Sequence, residues 1–338
     1  MSGGWNTIES DAGVFTYLLE ELGVRDVQFE ELISLDPDDL AELHPVYGVI
    51  FLFKYPTNTP YTASDKPLDG EFDHAAAERL FFAAQTIQNA CGTQALLSVL
   101  LNKADDGGDD DDGKEQRIDI GAALRDFRDF TMPLPAEFRG EALSNSELIR
   151  GVHNSFARSS PFADETQRAG ADDDADDAFH FVAYTAVGGT LYELDGLQPA
   201  PISHGRCGSG GDEFANKVME VLRRRVARYE ASEIRFNLLA MVRDLRIQAA
   251  QLDDDEAAET ERRKRRAWRI ENSLRRHNFV GFAGEVLKGV VRSKLGQGGG
   301  DDDAAYDRWV AQGKQKMQAR IEERKKGRAG GGDTEMEG

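Results

Sequence analysis

One of the two cysteines in the chain, Cys91, lies where a cysteine can act as a nucleophile. The surrounding sequence predicts a break near Asn89 and then a helix that runs to about Leu101, with Asn89 as its N-cap. Cys91 would then lie in the first turn, where unpaired backbone N–H groups and the helix dipole favour a thiolate. The residue could instead be a small core residue, since free cysteine is among the most buried types.

Three more side chains could support nucleophilic chemistry at Cys91. Gln85 lies in the segment that approaches the helix, and its amide could reach the oxygen that becomes negative in a tetrahedral intermediate. His180 lies on a predicted strand, Phe179–Tyr184, which would hold a general base rigidly. Asp195 ends the next predicted strand. A hairpin would bring it close to His180, where it could hold Nδ1–H and leave Nε2 to face the thiol.

Each of these three residues also has an ordinary structural interpretation. Gln85 taken alone has no special feature. A strand histidine is often satisfied by a backbone carbonyl, and an aspartate before a glycine, as at Asp195-Gly196, commonly caps a turn. Weaker arguments apply to the other histidines, because none lies on so clear a strand: His44, His74, His153, His204 and His277.

The elements that must position these residues form an α+β pattern. Ser10 or Asp11 can cap an N-terminal helix with apolar residues at helical spacing. Val46–Tyr55 is apolar at consecutive positions, as expected of a central strand covered on both faces. The dipeptide Gly188-Gly189 predicts a hairpin turn between the strands that carry His180 and Asp195. Further expectations are a strand at 24–29 and helices over 118–130, 144–156, most of 213–246, and 259–295.

The charge distribution excludes some classes of partner. The net charge of −20 argues against a general nucleic-acid binder, because a phosphate backbone would be repelled. Acidic runs such as Asp109–Asp112 contrast with Arg262–Arg276, which holds eight basic residues and one acid. The acidic runs are either solvated loops or attract a basic partner. The basic run resembles a nuclear-import signal or is a solvated or acid-binding helix face.

Cysteine usage and hydropathy limit the cellular compartments in which the protein is expected. Only Cys91 and Cys207 are present and no CxxC pair exists, which predicts neither a disulfide framework nor a structural zinc site and favours a reducing compartment. The N-terminus lacks a signal-peptide pattern, and runs such as YGVIFLF are too short to span a bilayer. We therefore expect a cytoplasmic and nuclear protein with no membrane partner.

Several segments spread over nearly the whole chain resemble the ubiquitin C-terminal hydrolase family (peptidase C12), and more narrowly its long, proteasome-associated members. These segments are WNTIESDAGVF, QTIQNACGTQALLSVLLN, VHNSFARSSPF, DAFHFVAY with YELDGL, EIRFNLLAM and RRHNFVGFAGEVLKGV. The resemblance implies an α+β fold with a central antiparallel-rich sheet flanked by helices, threaded as a knot and followed by a helical C-terminal extension. General topology rules would have discouraged a knot.

The resemblance also implies the chemistry. It places the nucleophile at Cys91, the oxyanion-stabilising amide at Gln85, the base at His180 and the orienting acid at Asp195. The expected activity is thiol-dependent hydrolysis at the C-terminal glycine of ubiquitin, without a cofactor, and with the backbone N–H of Cys91 as a second oxyanion donor. Two alternatives stay open: a catalytically silent ubiquitin-binding scaffold and a papain-like peptidase.

The family pattern further implies a domain organisation. Residues 1–246 would form the catalytic domain, with a loop at about 157–177 that crosses over the active site and restricts the leaving group. Residues 259–326 would form a helical extension and basic tail that bind a ubiquitin-receptor subunit of the proteasome, and residues 327–338 would be disordered. If the extension is a docking module and does not complete the core, truncation at about Asp253 should leave a folded, active chain.

Overall fold

The computed structural model describes residues 4–54, 66–104, 117–157, 179–208, 210–229, 236–295 and 307–318. Three predicted features therefore lie outside the described residues: the acidic loop at 105–113, the crossover loop from residue 158 onward, and the disordered tail at 327–338. The chain divides into two compact units, Met1–His277 and Asn278–Gly338.

The first unit combines strands and helices. The strands are β1 (Val27–Glu31), β2 (Val46–Lys54), β3 (Glu71–Phe72), β4 (Phe179–Val187), β5 (Thr190–Leu194), β6 (Ile202–Arg206) and β7 (Asn237–Arg243). The helices are α1 (Ala12–Glu21), α2 (Pro37–Ala41), α3 (Ala76–Arg79), α4 (Cys91–Leu100), α5 (Gly121–Thr131), α6 (Ala136–Asn145), α7 (Glu147–Ser155), α8 (Gly211–Val226), α9 (Leu245–Gln251) and α10 (Asp255–Arg276). In the second unit, α11 spans Val280–Leu295 and residues 307–318 are helical.

The strands form one sheet in the order β1-β7-β2-β4-β5-β6-β3, and every pair is antiparallel. Helices α1 and α4 pack on one face, while α8 packs on the other together with α2. Strand β2 lies inside the sheet and is buried along most of its length, as its continuous apolar run predicts. The predicted α+β fold with a central antiparallel sheet flanked by helices is thus confirmed, whereas the knotted threading stays a prediction.

One predicted helical region is wrong in part. The expectation of helix over most of 213–246 holds for α8, but residues 237–243 form β7, which pairs with both β1 and β2. Leu238 to Val242 are all buried. Periodicity cannot distinguish such a continuous apolar run in a fully covered strand from a buried helix, and only the pairing partners decide.

The N-terminal helix begins as its sequence predicts. Of the two candidate caps, Asp11 is the one used, since its Oδ1 accepts a hydrogen bond from the backbone N–H of Val14 at 2.9 Å. The Ser10 hydroxyl instead donates to Asn237 Oδ1 of β7 at 2.6 Å. The cap and the strand contact together determine where α1 starts relative to the sheet.

Helix α10 is part of the first unit, whereas the sequence pattern predicts it as the start of the extension. The Arg265 guanidinium is buried between two carboxylates, with Nη1 2.8 Å from Glu20 Oε1 and Nη2 3.0 Å from Asp244 Oδ2. Trp268 lies directly over Gly13 of α1, where a Cβ would come within 2.6 Å of its ring. The predicted boundary, with a catalytic domain ending at 246 and an extension starting at 259, therefore differs from the division after His277.

Several basic residues of α10 form ion pairs with acidic residues of the same chain. Further ion pairs join it to the N-terminal part of the chain: Lys264 to Glu30 at 2.6 Å, Arg275 to Asp11 at 2.9 Å and to Glu9 at 3.1 Å, and Arg276 to Glu21 at 2.7 Å. Of the interpretations considered for the basic run, the structure favours the acid-binding helix face, with the acids supplied by the same chain.

Candidate active site

Cys91 is the first residue of α4 and is 8 % exposed. Its predicted place in the first turn is confirmed, but Asn89 does not cap the helix. Residues Gln88–Ala90 form a 3₁₀ turn that runs directly into α4, and the Asn89 amide donates to the carbonyl oxygen of Trp5 at 3.0 Å. The turn also engages the backbone N–H of Cys91, which donates to the Gln88 carbonyl. The predicted second oxyanion donor is therefore already in a hydrogen bond.

The β4–β5 hairpin brings His180 and Asp195 together. Its turn is Gly188-Gly189, and both glycines have positive φ, as the sequence predicts. His180 lies near the start of β4 and Asp195 directly follows β5. Both side chains are buried, and His180 Nε2 lies 2.7 Å from Asp195 Oδ1.

The ring orientation of His180 is opposite to the predicted one. The sequence argument assigned Nδ1 to the carboxylate and Nε2 to the thiol, but Asp195 holds Nε2 and the Cys91 side chain is hydrogen-bonded to the same ring. Nδ1 is thus left to face the thiol. Which nitrogen meets the carboxylate depends on the χ angles of His180 and on the approach of α4, and neither is readable from spacing.

The electrostatics of this pair favour a charged imidazole. Burial alone lowers the pKa of His180, but the negative charge and hydrogen bond of Asp195, with a contribution from Cys91, outweigh burial and raise this pKa to about 9. Conversely, burial raises the pKa of Asp195, and the charge and hydrogen bond of His180 more than offset that effect and lower it. At neutral pH the structure therefore holds an imidazolium next to the Cys91 sulfur.

The Asp195 carboxylate is held through one of its two oxygens, Oδ1, which His180 Nε2 already contacts. Its Oδ1 also accepts a hydrogen bond from the backbone N–H of Leu197 at 3.0 Å. Nearby, buried Glu193 forms an ion pair with Arg225, and the positive charge of Arg225 helps to lower the pKa values of both carboxylates. Arg225 therefore offsets part of the repulsion between Glu193 and Asp195, two buried acids that are two positions apart in the chain.

Gln85 lies beside the end of β5. Its backbone N–H donates to the Gly196 carbonyl at 2.8 Å, and the residue is half-buried. The structure therefore brings all four predicted residues into one region: Cys91 and His180 in contact, Asp195 behind the imidazole, and Gln85 against the residue after Asp195.

Buried polar residues on α4 that the sequence pattern does not single out also belong to this region. All of α4 is buried, including Thr93, Gln94 and Ser98. Thr93 Oγ1 lies 2.7 Å from Nδ1 of His153, which is fully buried and whose Nε2 bonds the Asn6 carbonyl at 2.6 Å. Burial lowers the pKa of His153. The sequence does carry a signal for these contacts, namely polar residues within an otherwise apolar helix. Such residues need hydrogen-bond partners elsewhere in the fold.

Among the described residues, no cluster of three or more His, Cys, Asp or Glu side chains is placed to hold a metal ion. None of the helices in the described part of the chain is long and apolar enough to cross a membrane. Both cysteines are free thiols, and Cys207 is buried away from the pair described above.

Comparison with known proteins identifies the class to which this fold and site belong. A family model described as ubiquitin carboxyl-terminal hydrolase, family 1, matches residues 5–227, and a second, described as ubiquitin carboxyl-terminal hydrolases, matches residues 255–295. The chain belongs to the ubiquitin carboxyl-terminal hydrolase family and is a cysteine-type deubiquitinase.

Individual relatives match over most of their length. Ubiquitin carboxyl-terminal hydrolase 2 of Schizosaccharomyces pombe is 48% identical over 297 residues, which cover 86% of this chain and 92% of the relative. Ubiquitin carboxyl-terminal hydrolase ubh-4 of Caenorhabditis elegans is 37% identical, covering 90% and 92%. The crystal structure of Trichinella spiralis UCH37 bound to ubiquitin vinyl methyl ester superposes with a TM-score of 0.58 at 32% identity, covering 80% of this chain and 99% of that one.

Proposed function

We propose that the chain hydrolyses the ester, peptide or isopeptide bond at the C-terminal glycine of ubiquitin, with Cys91 as nucleophile. The observation that carries this assignment is the buried contact series from Cys91 through His180 to Asp195 at the first turn of α4. A cysteine at a helix N-terminus beside an imidazolium is the arrangement that stabilises a thiolate. The structure of Trichinella spiralis UCH37 bound to ubiquitin vinyl methyl ester supports ubiquitin as the partner.

The proposed reaction uses only side chains of this chain and water. The Cys91 thiolate attacks the carbonyl carbon of the terminal glycine, and the Gln85 amide donates to the oxyanion that forms. His180 gives its Nδ1 proton to the departing amine or alcohol, which leaves a thioester on Cys91. The neutral imidazole then takes a proton from water as that water attacks the thioester, so that ubiquitin leaves and the resting charges return.

Replacement of the nucleophile tests this assignment. Cys91→Ala should abolish turnover of a ubiquitin–aminomethylcoumarin conjugate and labelling by ubiquitin with an electrophilic C-terminus, while ubiquitin binding measured by calorimetry persists. Cys207→Ala is the matched control, because it removes the other buried thiol, and it should retain both activities. Turnover near wild type in Cys91→Ala would refute the role of Cys91.

Labelling by the ubiquitin probe and cleavage of unrelated peptides distinguish this function from the two alternatives, a silent ubiquitin-binding scaffold and a papain-like peptidase. A ubiquitin-binding scaffold would bind ubiquitin without being labelled in the wild-type chain. A papain-like peptidase would cleave unrelated unfolded peptides at rates comparable to the ubiquitin conjugate. The contact of His180 with both Cys91 and Asp195 favours an active enzyme over a scaffold, because a scaffold has no need to keep these groups in register.

We further propose that the C-terminal extension docks the enzyme to a ubiquitin-receptor subunit of the proteasome, with the protein present in cytoplasm and nucleus. The resemblance of this region to the long members of the family supports the docking role, and so does the surface of the second unit. Exposed apolar side chains follow one stripe of its first helical region: Phe279, Phe282, Val286, Leu287 and Val290. Such stripes are typical of protein-binding helices. Co-purification with proteasomes, lost on removal of this unit, is the test.

A further inference from the structure

The segment that carries Gln85 is held by side chains and by two backbone hydrogen bonds, from Ala84 N–H to the Ala136 carbonyl at 2.9 Å and from Gln85 N–H to the Gly196 carbonyl at 2.8 Å. Residues 81–87 belong to no helix or strand, so their backbone groups need other partners. Asn102 bonds both backbone groups of Phe81, accepting from N–H at 2.8 Å and donating to the carbonyl at 3.0 Å. Arg139, which is buried, donates to the carbonyl oxygens of Leu80 at 2.8 Å and Phe82 at 3.2 Å. These contacts anchor the end of the segment that is remote from Gln85.

A different residue anchors the end next to Gln85. Gln94 lies on α4 three residues after Cys91, and its side chain is buried. Its Nε2 donates to the carbonyl oxygen of Ala83 at 2.6 Å. One side chain thus links the helix that presents Cys91 to the backbone two residues before Gln85.

Gly196 makes room for this link. A Cβ at Gly196 would lie 2.1 Å from Gln94 Nε2 and 3.0 Å from Gln85 Cβ. Because Gly196 directly follows Asp195 and its carbonyl accepts the Gln85 N–H, the chain after β5 packs against both glutamines. The Gln94 amide is therefore enclosed between the Gln85 segment and the end of the strand that positions Asp195.

We infer that Gln94 is a positioning residue for the hydrolytic reaction, and that it sets the Gln85 amide at the correct distance from Cys91. The inference rests on the proposed roles of Cys91 and Gln85. The backbone bonds of Ala84 and Gln85 run to Ala136 and Gly196 and not to α4, so the hydrogen bond from Gln94 is the contact that sets the spacing between the helix start and the Gln85 segment. A displacement of an oxyanion donor by about 1 Å is enough to cost on the order of 10²-fold in rate.

A double-mutant cycle separates positioning from general structural support. Kinetics of ubiquitin–aminomethylcoumarin hydrolysis are compared for the full-length wild type, Gln94→Leu, Gln85→Ala and the double variant. Gln85→Ala should lower kcat about 10²- to 10³-fold, as loss of one oxyanion donor does. Gln94→Leu should lower kcat at least about tenfold with little change in KM. The double variant should be no slower than Gln85→Ala alone. Once the Gln85 amide has been removed, the loss of Gln94 can no longer displace it.

Two further variants test whether a loss of kcat reflects the position of Gln85 or a general loss of stability. Ser98→Ala is the matched control, since Ser98 is a buried polar residue one turn along α4 whose hydroxyl bonds within the helix, and its kcat should be unchanged. Gln94→Met keeps a straight side chain and should reproduce the kcat loss of Gln94→Leu with a thermal unfolding midpoint near that of Ser98→Ala.

The outcomes are distinguishable. Losses that multiply in the double variant, a wild-type kcat in Gln94→Leu, or unfolding of both Gln94 variants would overturn the positioning role and leave that of Gln85 intact. A wild-type kcat in Gln85→Ala would instead refute the proposed oxyanion donor, and the inference about Gln94 with it. Activity that persists in Cys91→Ala would refute the proposed chemistry as a whole.

Discussion

At the scale of single residues, the His180–Asp195 pair shows how burial and charge compete. Both groups are almost fully buried, a setting that disfavours their ionised forms, yet each stabilises the charge of the other. The raised pKa of His180, about 9, means that the imidazole keeps its proton over the neutral range. In the proposed reaction that proton is the one delivered to the leaving group.

Asp195→Asn should move the alkaline limb of kcat/KM to lower pH. The wild-type limb is expected near pH 9, where His180 loses the proton that the leaving group needs. Without the carboxylate, the pKa of His180 falls by about 1–3 units, as for any group that loses an adjacent opposite charge. The pH–rate profile of both enzymes measures the shift. Glu220→Gln, which neutralises an exposed carboxylate, is the control and should leave the limb in place. Superimposable profiles for wild type and Asp195→Asn would contradict the assignment.

The same pair should make stability depend on pH. Because the folded pKa of His180 is raised above its ordinary value of 6.5, its contribution is complete below about pH 6.5 and is lost as pH rises through 9. The pKa of Asp195 is lowered, so its contribution is present above about pH 3.8 and is lost as pH falls. The difference in unfolding free energy between wild type and Asp195→Asn, measured by denaturant titration, should therefore be largest between pH 4 and 6.5.

At the scale of elements, the contact between α1 and α10 reverses an intrinsic preference. Alanine normally favours a helix over glycine by about 1 kcal/mol. Gly13 lies inside α1, however, and an added Cβ would meet the Trp268 ring at 2.6 Å. The close approach of the two helices therefore decides which residue is tolerated.

Gly13→Ala should destabilise the protein by about 1–3 kcal/mol, the usual cost of overpacking, as measured by chemical denaturation. In a Trp268→Ala background the same change should become neutral or stabilising, because the clash is gone. Gly151→Ala is the matched control: Gly151 lies inside α7, an added Cβ would meet nothing within 4 Å, and the variant should gain about 0.5–1 kcal/mol. Equal effects of Gly13→Ala in both backgrounds would show that Trp268 is not the obstacle.

At the scale of the whole molecule, the unit that contains the site extends to His277, and the expectation for truncation changes with it. A chain that ends at Asp253 would lose α10, and with it the Arg265 that pairs with Glu20 and Asp244 and the Lys264 that pairs with Glu30, so that only Arg246 would remain beside Asp244. Removal of one side of a buried ion pair costs several kcal/mol. The contacts of α10 therefore predict that a chain ending at Asp253 folds less stably than the sequence pattern alone suggests.

Truncation after His277 should leave a chain that unfolds cooperatively near the wild-type temperature and still hydrolyses ubiquitin–aminomethylcoumarin. Truncation after Asp253 should lower the unfolding midpoint by more than 10 °C or prevent folding, because α10 packs on α1 through Arg265 and Trp268. Differential scanning fluorimetry and turnover of the two chains decide between these outcomes. Similar stability of both truncations would mean that α10 contributes little to the first unit.

The amino-acid sequence by itself determined what depends on neighbours in the chain. The place of Cys91 in the first turn of α4, the Asp11 cap, and the hairpin at Gly188-Gly189 that joins the strands of His180 and Asp195 all follow from short-range patterns. These features bring three of the four proposed site residues close to their final positions, because helix starts and hairpins are set by local backbone conformation.

Only the tertiary structure decided which distant groups meet. In the folded chain, Nε2 of His180 contacts Asp195 and the Ala83 carbonyl accepts a hydrogen bond from Gln94. Residues 237–243 form a strand between β1 and β2. The tertiary structure also joined α10 to α1 across more than 200 residues of sequence. Periodicity and propensity report whether a residue is buried, whereas the partner of a buried polar group depends on how separate elements pack, and that packing is a property of the complete fold.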